Sequence, residues 1–360
     1  MENDNIVSKY KNKFHLMKLE RREMRRAKLV EKKRIGICQE EFQKSAGADE
    51  VIVQVKAVGI CGTDIHIFNG ERKDVDYPRV MGHELSGIVI EAGENVTNVK
   101  AGDHVILDPV MACGTCRTCK RGHENVCESV RCFGVQMDGG FQDYICVPAK
   151  QVYAVSEQVP FEEAAVAEPF SVAANIISRA EITAEDRVAV IGAGTIGLCI
   201  VQGAKSIGAE VLAMDLSETK LEKAKEFGAD ACVNTKEISF ESAVEAFAPG
   251  GVDVIIDAVG ITPFVEKSID LVAPFGRIVV ISFDERPMQV APVVVTKKEL
   301  SILGSRMNCK KMSTVIKWME EKRINPKAMI SKVYPLEEIQ KAFEETIRDV
   351  DTNVKTIIRL

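Results

Sequence analysis

The sequence predicts an α/β protein with two domains: a mainly β domain that is discontinuous in sequence, and a domain with a doubly wound parallel sheet. Three observations lead to this prediction. The chain has 360 residues, more than one domain of usual size contains. Strand-like segments fill it up to about residue 170, and from Arg187 onward apolar strands alternate with helical stretches. Strand-forming sequence returns at residues 356–360, so the tail is expected to fold back onto the first domain.

Composition excludes several classes of protein. The chain is 46% hydrophobic and 28% charged, as soluble globular proteins commonly are. No apolar run approaches the ~20 residues that span a bilayer, and the first residues lack the apolar stretch of a secretion signal. We therefore expect a cytoplasmic protein with no membrane partner. Its eleven cysteines favour metal binding over disulfides, because the cytosol keeps thiols reduced.

The N-terminus is basic, with 12 Lys/Arg against 5 Asp/Glu in residues 1–34 of a chain whose net charge is −6. A basic segment can bind nucleic acid, but a solvated charged surface is the commoner arrangement. We expect no nucleic-acid partner. Strand-like sequence begins at Met24, so residues 1–23 are interpreted as an N-terminal extension.

The order of predicted elements separates the two domains. Strands are predicted at 51–58, 86–90 and 104–107, where apolar and polar residues alternate or β-branched runs end at Gly, Asp or Pro. From residue 187, strands at 187–192, 211–215, 252–260 and 277–282 alternate with helices near 196–207, 218–227 and 263–271. This βαβ series predicts a parallel sheet with helices on both faces. A strand near 300–303 and helices at 311–321 and 336–346 precede the final strand.

A glycine-rich turn of the form G-x-G-x-x-G follows the strand at 187–191 and opens a helix. The first glycine permits the tight turn, the second lets the backbone approach a pyrophosphate, and the third allows close helix–strand packing. Asp215 ends the next strand, where its carboxylate can accept hydrogen bonds from ribose hydroxyls and would repel a 2′-phosphate. The turn predicts NAD binding, and the alternative is a glycine-rich turn of a merely similar fold. The residues of the turn are Gly192, Gly194, Thr195, Ile196 and Gly197.

Four cysteines lie within one short loop: Cys113, Cys116, Cys119 and Cys127. Four thiolates suit a closed, tetrahedral structural zinc site. An iron–sulfur cluster is the competing interpretation, because the spacing of four cysteines does not determine which metal they bind.

A second constellation is spread over the sequence: Cys61 in the segment GICGTDIH, His83 and Glu84 in GHE, and Glu168 in EPF. A catalytic zinc keeps three protein ligands and one open position, and Cys61, His83 and one of the two carboxylates supply suitable donors. Each residue taken singly also has a structural interpretation as a buried thiol, a surface imidazole or a solvated acid.

These motifs resemble the zinc-containing medium-chain dehydrogenase/reductase family, similar to the sorbitol, threonine and sugar-acid dehydrogenases. The resemblance runs from about Met24 to Leu360 and rests on GICGTDIH, YPRVMGHE, the four-cysteine loop, AEPFSVAAN, IGAGTIGL and DAVG. It implies a GroES-like catalytic domain formed by 24–174 and 304–360, and an NAD-binding Rossmann domain at 175–303. It also implies two zinc ions per chain, one catalytic and one structural, and a homodimer or homotetramer.

The resemblance also implies roles for single residues. Cys61 and His83 would bind the catalytic zinc, with Glu84 and Glu168 coordinating in alternation or through water. Thr63 would hold the substrate hydroxyl, and His66 would pass its proton to solvent. Glu168 stands where relatives resembling liver alcohol dehydrogenase have cysteine, which favours polyol-type substrates.

The segment GSRMN at 304–308 resembles the branch with L-galactonate and L-gulonate 5-dehydrogenases and starvation-sensing dehydrogenase-like proteins. Arg306 is accordingly a candidate to bind a substrate carboxylate through its guanidinium fork. An internal salt bridge or a contact with cofactor phosphate is the alternative role.

The sequence therefore predicts a zinc- and NAD-dependent oxidation of a secondary hydroxyl on a small polyol or sugar acid. Threonine- or butanediol-type oxidation remains an alternative within the same chemistry. A zinc-free quinone reductase and a non-catalytic, NAD-responsive regulatory protein are the other two alternatives.

Overall fold

A computed structural model of the protein describes residues 22–42, 44–281 and 283–360. The N-terminal extension predicted at residues 1–23 lies outside these residues, except that the first strand already begins at Arg22. Short strands dominate the first part of the chain. They are β1 (Arg22–Glu31), β2 (Arg34–Phe42), β3 (Glu50–Ile60), β4 (Arg79–Val80), β5 (Glu84–Ala92), β6 (His104–Leu107), β7 (Val110–Met111), β8 (Arg131–Cys132), β9 (Tyr144–Pro148) and β10 (Val152–Ala154). Short helices between them are α1 (Gly62–Phe68), α2 (Arg117–Lys120) and α3 (Phe161–Ala165), with 3-10 turns at Glu124–Val126 and Ala149–Gln151.

Strand β3 is the centre of the first domain. It pairs antiparallel with β5 and β9 and also with the last strand of the chain, so few of its residues reach solvent. This explains why the strand is apolar over most of its length rather than strictly alternating. Phe141 and Phe343, which are far apart in the sequence, pack edge to face in the core of the first domain.

The second domain contains a six-stranded parallel sheet in the order β13-β12-β11-β14-β15-β16. Its strands are β11 (Arg187–Ile191), β12 (Glu210–Asp215), β13 (Ala231–Asn234), β14 (Val252–Asp257), β15 (Val272–Val280) and β16 (Ser301–Gly304). The helices before and between them are α4 (Ala167–Arg179), α5 (Thr195–Ile207), α6 (Glu218–Glu226), α7 (Phe240–Phe247), α8 (Thr262–Leu271) and α9 (Pro292–Lys298). Because both faces of the sheet are covered, its inner strands are continuous apolar runs.

The tail returns to the first domain. It consists of α10 (Met312–Glu320), α11 (Pro326–Met329), β17 (Ile330–Pro335), a 3-10 turn at Leu336–Glu338, α12 (Ile339–Arg348) and β18 (Lys355–Arg359). Strand β18 pairs parallel with β17 and antiparallel with β3, placing Ile358 opposite Val58. The predicted discontinuous first domain is thereby confirmed.

The predicted fold class is confirmed, and the domain boundaries at 174/175 and 303/304 stay predictions. Helix α4 runs continuously through the first of these positions. The sequence patterns did not indicate α4, although it has 13 residues, nor shorter elements such as α1, α7, α9 and β13. Within the described part of the chain, no helix combines the length and apolarity that crossing a membrane requires.

Candidate active site

Cys61 lies at the junction between β3 and α1, as the residue that caps the helix. The carboxylate of Asp64, one turn into α1, accepts a hydrogen bond of 2.9 Å from the Cys61 backbone N–H through Oδ2. Its other oxygen, Oδ1, accepts a bond of 3.2 Å from the Gly82 N–H. Asp64 is fully buried. Through these two bonds, its side chain joins the chain segment that carries Cys61 to the segment that carries His83.

His83 also points its Nδ1 toward Asp64, at 3.6 Å from Oδ1. This distance exceeds that of a hydrogen bond, and Nδ1 has no bonded partner among the described residues. A carboxylate beside one ring nitrogen is the usual arrangement that orients a metal-binding histidine, and it leaves Nε2 for the metal. Burial lowers the pKa of His83, but the negative charges of Asp64 and Cys61 raise it well above its usual value. The negative charges of Asp64 and Cys61 would therefore stabilise a cation bound in this pocket.

The ligand atoms of Cys61, His83 and Glu84 all lie within 4.8 Å of one another. Sulfur, nitrogen and oxygen donors in one buried cluster fit zinc. The Glu84 Oε2 atom is buried without a hydrogen-bond partner among the described residues, as expected for an oxygen that a metal would bind. Gly59 makes room for it, because a Cβ at that position would lie 2.0 Å from Oε2.

Glu168 lies near this cluster, in the first turn of α4, but does not belong to the compact three-residue group. The residue is 8% exposed. Burial raises the pKa of Glu168 to about 7, with His83 opposing the shift and Glu84 adding to it. Glu84 is thus the carboxylate that lies closest to Cys61 and His83. Which of Glu84 and Glu168 binds the metal stays a prediction.

Lys355 in β18 is the counterion of Glu84. Its Nζ lies 2.7 Å from Glu84 Oε1 and donates a second bond of 3.2 Å to the Ile60 carbonyl, with both charged side chains almost completely buried. Burial lowers the pKa of Lys355, but the charges of Glu84 and Cys61 raise it more, so the ammonium stays protonated. One oxygen of Glu84 is fixed by Lys355, and the other is left for the metal site.

Two residues of this site, Asp64 and Lys355, escaped the sequence-based prediction. The available signals were an aspartate three residues after Cys61 at the start of a helix, and a lysine that directly precedes the segment TII of the C-terminal strand.

Thr63 and His66 both lie on α1, next to Cys61. Thr63 is half-buried, whereas the His66 side chain is exposed and its Nδ1 shares a hydrogen bond with Glu71. The helix therefore connects the buried cluster with the surface, and the predicted proton relay stays a prediction.

The four-cysteine loop forms a second, separate cluster. The sulfur of Cys127 lies 3.5 Å from that of Cys113 and 4.0 Å from that of Cys116. Backbone N–H groups of Cys116 and then Thr115 lower the pKa of the Cys113 thiol to about 5, which favours the thiolate that metals bind. All four sulfurs of the loop lie within 4.8 Å of one another, so the set is closed, as in a structural zinc site.

The glycine-rich turn is tightly packed on one side and open on the other. A Cβ on Gly197 would lie 1.8 Å from the Gly192 carbonyl oxygen, so glycine is required there for helix–strand packing. A Cβ on Gly194 would meet no protein atom within 4 Å, which leaves the space for a ligand. Asp215 ends β12 and accepts a hydrogen bond of 2.7 Å from the Ala193 N–H, so its carboxylate borders the same turn. Thr195 and Ile196 begin α5 and are partly buried.

Two neighbouring residues close to the C-terminus contact both sites. The Thr195 hydroxyl donates a 2.6 Å hydrogen bond to the carbonyl of Val354, and the next residue, Lys355, binds Glu84. Adjacent residues therefore contact the start of the dinucleotide-binding helix and the candidate zinc cluster.

Arg306 follows β16 and is exposed. Among the residues that the structure describes, its guanidinium has no hydrogen bond and no acidic partner, so the predicted alternative of an internal salt bridge is not observed. Its backbone carbonyl accepts a bond of 2.8 Å from Asn125 Nδ2.

Comparisons with known proteins identify the family. The model of the alcohol dehydrogenase GroES-like domain matches residues 47–157, and that of zinc-binding dehydrogenases matches residues 195–321. The chain is 38% identical over 319 residues to the starvation-sensing protein RspB of Escherichia coli K12, covering 87% of this chain and 93% of RspB. It is 32% identical over 313 residues to the L-galactonate-5-dehydrogenase of the same organism, covering 86% and 91% of the two chains.

Two solved structures are similar over nearly the whole chain. An RspB from Escherichia coli CFT073, described as a short chain alcohol dehydrogenase complexed with NADH, has a TM-score of 0.88 at 36% identity, covering 94% of this chain and 100% of that one. A putative zinc-binding dehydrogenase from Sinorhizobium meliloti 1021, bound to NADP, has a TM-score of 0.85 at 30% identity with the same coverage.

Proposed function

Because the chain belongs to the zinc-containing medium-chain alcohol dehydrogenase family, we propose that it oxidises a secondary hydroxyl of a polyol or sugar acid with NAD and a catalytic zinc. The observation that carries this proposal is the connection between its two sites. Cys61, His83 and Glu84 form a buried donor cluster, and Lys355 and Val354 join that cluster to the first turn of the dinucleotide-binding helix. A metal and a nicotinamide held at these sites would be neighbours.

The residues present fit both groups, and each has a distinct task. When bound, zinc supplies Lewis-acid polarisation of an alcohol hydroxyl, and NAD supplies the hydride acceptor. Lys355 fixes one oxygen of Glu84, and Asp64 bonds the backbone N–H groups of Cys61 and Gly82, so the segments that carry the donors are held in place by this chain's own side chains.

Proton removal is assigned to α1. Thr63 holds the substrate hydroxyl, and His66 delivers the proton to water, for which its exposed ring is suited. Glu71, hydrogen-bonded to His66 Nδ1, orients the imidazole ring for this transfer. The apolar surroundings of β3 and α4 exclude water from the cluster.

The four-cysteine loop is proposed to hold the second, structural zinc. Its donors are all thiols and leave no open position for a substrate, so its contribution is to folding rather than to chemistry.

NAD is proposed as the preferred cofactor because of Asp215. Its carboxylate ends β12 beside the turn and would repel a 2′-phosphate, and the residues that directly follow it, Leu216 and Ser217, are not basic. The similar structure from Sinorhizobium meliloti was solved with bound NADP, so the preference for NAD over NADP has to be measured.

The direct test is a substrate panel with NAD and with NADP. We expect reduction of NAD by polyols or aldonates and little reduction with ethanol, at a kcat/KM for NAD well above that for NADP. Turnover of threonine or 2,3-butanediol alone would favour the alternative substrate class. Quinone reduction without any alcohol oxidation would overturn the proposal.

Two glycine substitutions separate cofactor binding from folding. Gly194→Ala adds a methyl group into space without protein atoms, so we expect a Tm close to that of the parent and a weaker affinity for NADH, by roughly 10-fold or more if the backbone contact is lost. Gly197→Ala places a methyl group against the Gly192 carbonyl, and we expect loss of stability as well. Differential scanning fluorimetry and calorimetric NADH titration measure both effects. Equal NADH affinity in Gly194→Ala and the parent would contradict the assignment of this turn.

A further inference from the structure

The β4–β5 connection, residues 81–83, carries one candidate zinc ligand and leads directly into another. It contains His83, and the strand that follows it begins at Glu84. Gly82, in its centre, has a φ of 89°, a left-handed conformation that glycine adopts without strain. The connection has no regular secondary structure. Its position is therefore set by the groups that pack against it.

The backbone of residues 139–141 lies along the connection. Three hydrogen bonds join the N–H groups of Gly139, Gly140 and Phe141 to the carbonyls of Val80, Gly82 and Met81, at 2.8, 2.7 and 3.1 Å respectively. A Cβ on Gly139 would lie 2.2 Å from the Gly82 carbonyl oxygen, so the two backbones are in direct contact. A displacement of the segment that contains Gly139 would therefore displace the connection as well.

Asp138 precedes this contact and joins three parts of the chain. Its Oδ1 accepts 3.2 Å hydrogen bonds from the Val80 N–H and from Nη1 of Arg79, both in β4. Its Oδ2 pairs with the guanidinium of Arg26 in β1. The side chains of the two arginines are only 18% and 20% exposed. One carboxylate thus holds the segment against β1 and β4, at the point where the connection to His83 begins.

The bond to Val80 matters more than the ion pairs. The Asp138 side chain is 41% exposed, and ion pairs that water reaches contribute little to stability. Val80 is buried, however, and a buried N–H that loses its acceptor keeps the full cost of its desolvation. Removal of the carboxylate is therefore expected to shift β4 and the connection rather than to leave them in place.

We propose that Asp138 is a positioning residue for the candidate zinc site: it fixes the connection that carries His83 and leads to Glu84. This inference rests on the proposed function and adds to it a residue outside the set of ligands. Partners behind metal ligands commonly change metal affinity or activity by roughly 10–100-fold. Asp64 bonds the same connection through the Gly82 N–H, so two aspartates hold it at two points.

Asp138→Ala removes all three contacts, and Asp143→Ala is its matched control. Asp143 follows in the same segment, accepts a 2.6 Å bond from the Arg25 N–H and pairs with the Arg25 guanidinium at 2.6 Å. Like Asp138, it combines a backbone hydrogen bond with an ion pair, but these bonds join it to β1 and not to β4 or the connection. We expect both variants to lower the Tm, and the two to differ at the zinc site.

The test uses the full-length protein. The zinc of the donor cluster is defined as the metal that the parent holds and Cys61→Ser does not. Its affinity is measured by competition with a chromophoric chelator, without substrate or cofactor. Co²⁺ is then exchanged for this zinc, because its visible absorption depends on the geometry of the ligands. Steady-state kinetics and a calorimetric NADH titration are run on the same preparations.

In Asp138→Ala we expect a zinc affinity weaker by roughly 10-fold, a changed Co²⁺ spectrum and a kcat lower by a similar factor, because displaced ligands affect all three. NADH affinity and the KM for NAD should stay close to those of the parent. Asp143→Ala should match the parent in zinc affinity and Co²⁺ spectrum. If Asp138→Ala does not fold, Asp138→Asn replaces it. The amide keeps an oxygen for the Val80 N–H, so we expect a smaller but measurable loss of zinc affinity as a charge-assisted bond becomes a neutral one.

Zinc affinity and a Co²⁺ spectrum like those of the parent, in the folded Asp138 variant, would overturn the inference. An equal fall of zinc affinity in Asp143→Ala would also overturn it, since the effect would then be general destabilisation. If the variants behave as expected but the parent oxidises no alcohol, the proposed function fails and the positioning role stands. If the parent oxidises alcohols and the Asp138 variant keeps its zinc affinity, only the positioning role fails.

Discussion

Replacing Cys61 by serine is expected to lower kcat by at least ~10³-fold, because a hydroxyl is a poor substitute for a thiolate at zinc and Lewis-acid catalysis is worth several kcal/mol. His83→Ala should have an effect of similar size. Both residues belong to the compact donor cluster and neither lines the glycine-rich turn, so NADH affinity is expected to stay within a few-fold of the parent. Steady-state turnover, NADH titration and zinc content per chain measure the three quantities.

Cys232→Ser is the control for this prediction. Cys232 lies half-buried in β13, away from the donor cluster, and its replacement should leave turnover and zinc content unchanged. Loss of both turnover and NADH binding in the Cys61 and His83 variants would indicate a folding defect. Turnover within 10-fold of the parent in a folded Cys61→Ser protein would refute the assigned catalytic site.

Cys116→Ser is expected to remove the structural zinc and to destabilise the protein before it affects chemistry. Serine is itself a favourable residue at the start of a helix, so the cap of α2 is preserved and the metal ligand alone is lost. Zinc supplies ~10–16 kcal/mol to zinc-finger peptides, and losing only ~3 kcal/mol would lower the Tm of a domain of 150–250 residues by roughly 6–12 °C. Calorimetry and metal analysis of the same preparation test this directly.

The matched control is Cys309→Ser. Its thiol donates a hydrogen bond to the Gly122 carbonyl beside the loop, but its sulfur is outside the group of four. A serine hydroxyl can make the same bond, so Tm and zinc content should change little. If Cys116→Ser kept the Tm and metal content of the parent, the loop would not be a metal site. Iron in place of zinc in the parent protein would support the cluster alternative.

The elements that the sequence predicted well are those whose own residues carry the signal. The apolar runs of β11, β12 and β14 and the glycine pattern at 192–197 are local, and each was found close to its observed position. Elements with weak local signals were missed, such as the four-residue β13 and the short helix α1, whose formation depends on the cap between Cys61 and Asp64.

The candidate active site was predicted through its ligands but not through the residues that hold them. Lys355 contacts Glu84 across 271 positions in sequence, and no local pattern pairs the two. The same applies to Arg306, which has no described counterion and lines one cavity together with Arg179 of α4. Long-range contacts, which only the folded chain reveals, decide the electrostatics of both sites.

The most direct test of the central claim is zinc-dependent NADH formation from a polyol or aldonate. The purified enzyme is assayed with NAD before chelation, after removal of zinc by a chelator, and after zinc is added back. We predict that activity falls with the loss of one zinc per chain and returns with its addition, while Cys61→Ser stays inactive throughout. Undiminished alcohol oxidation by a protein shown to contain no zinc would contradict the account.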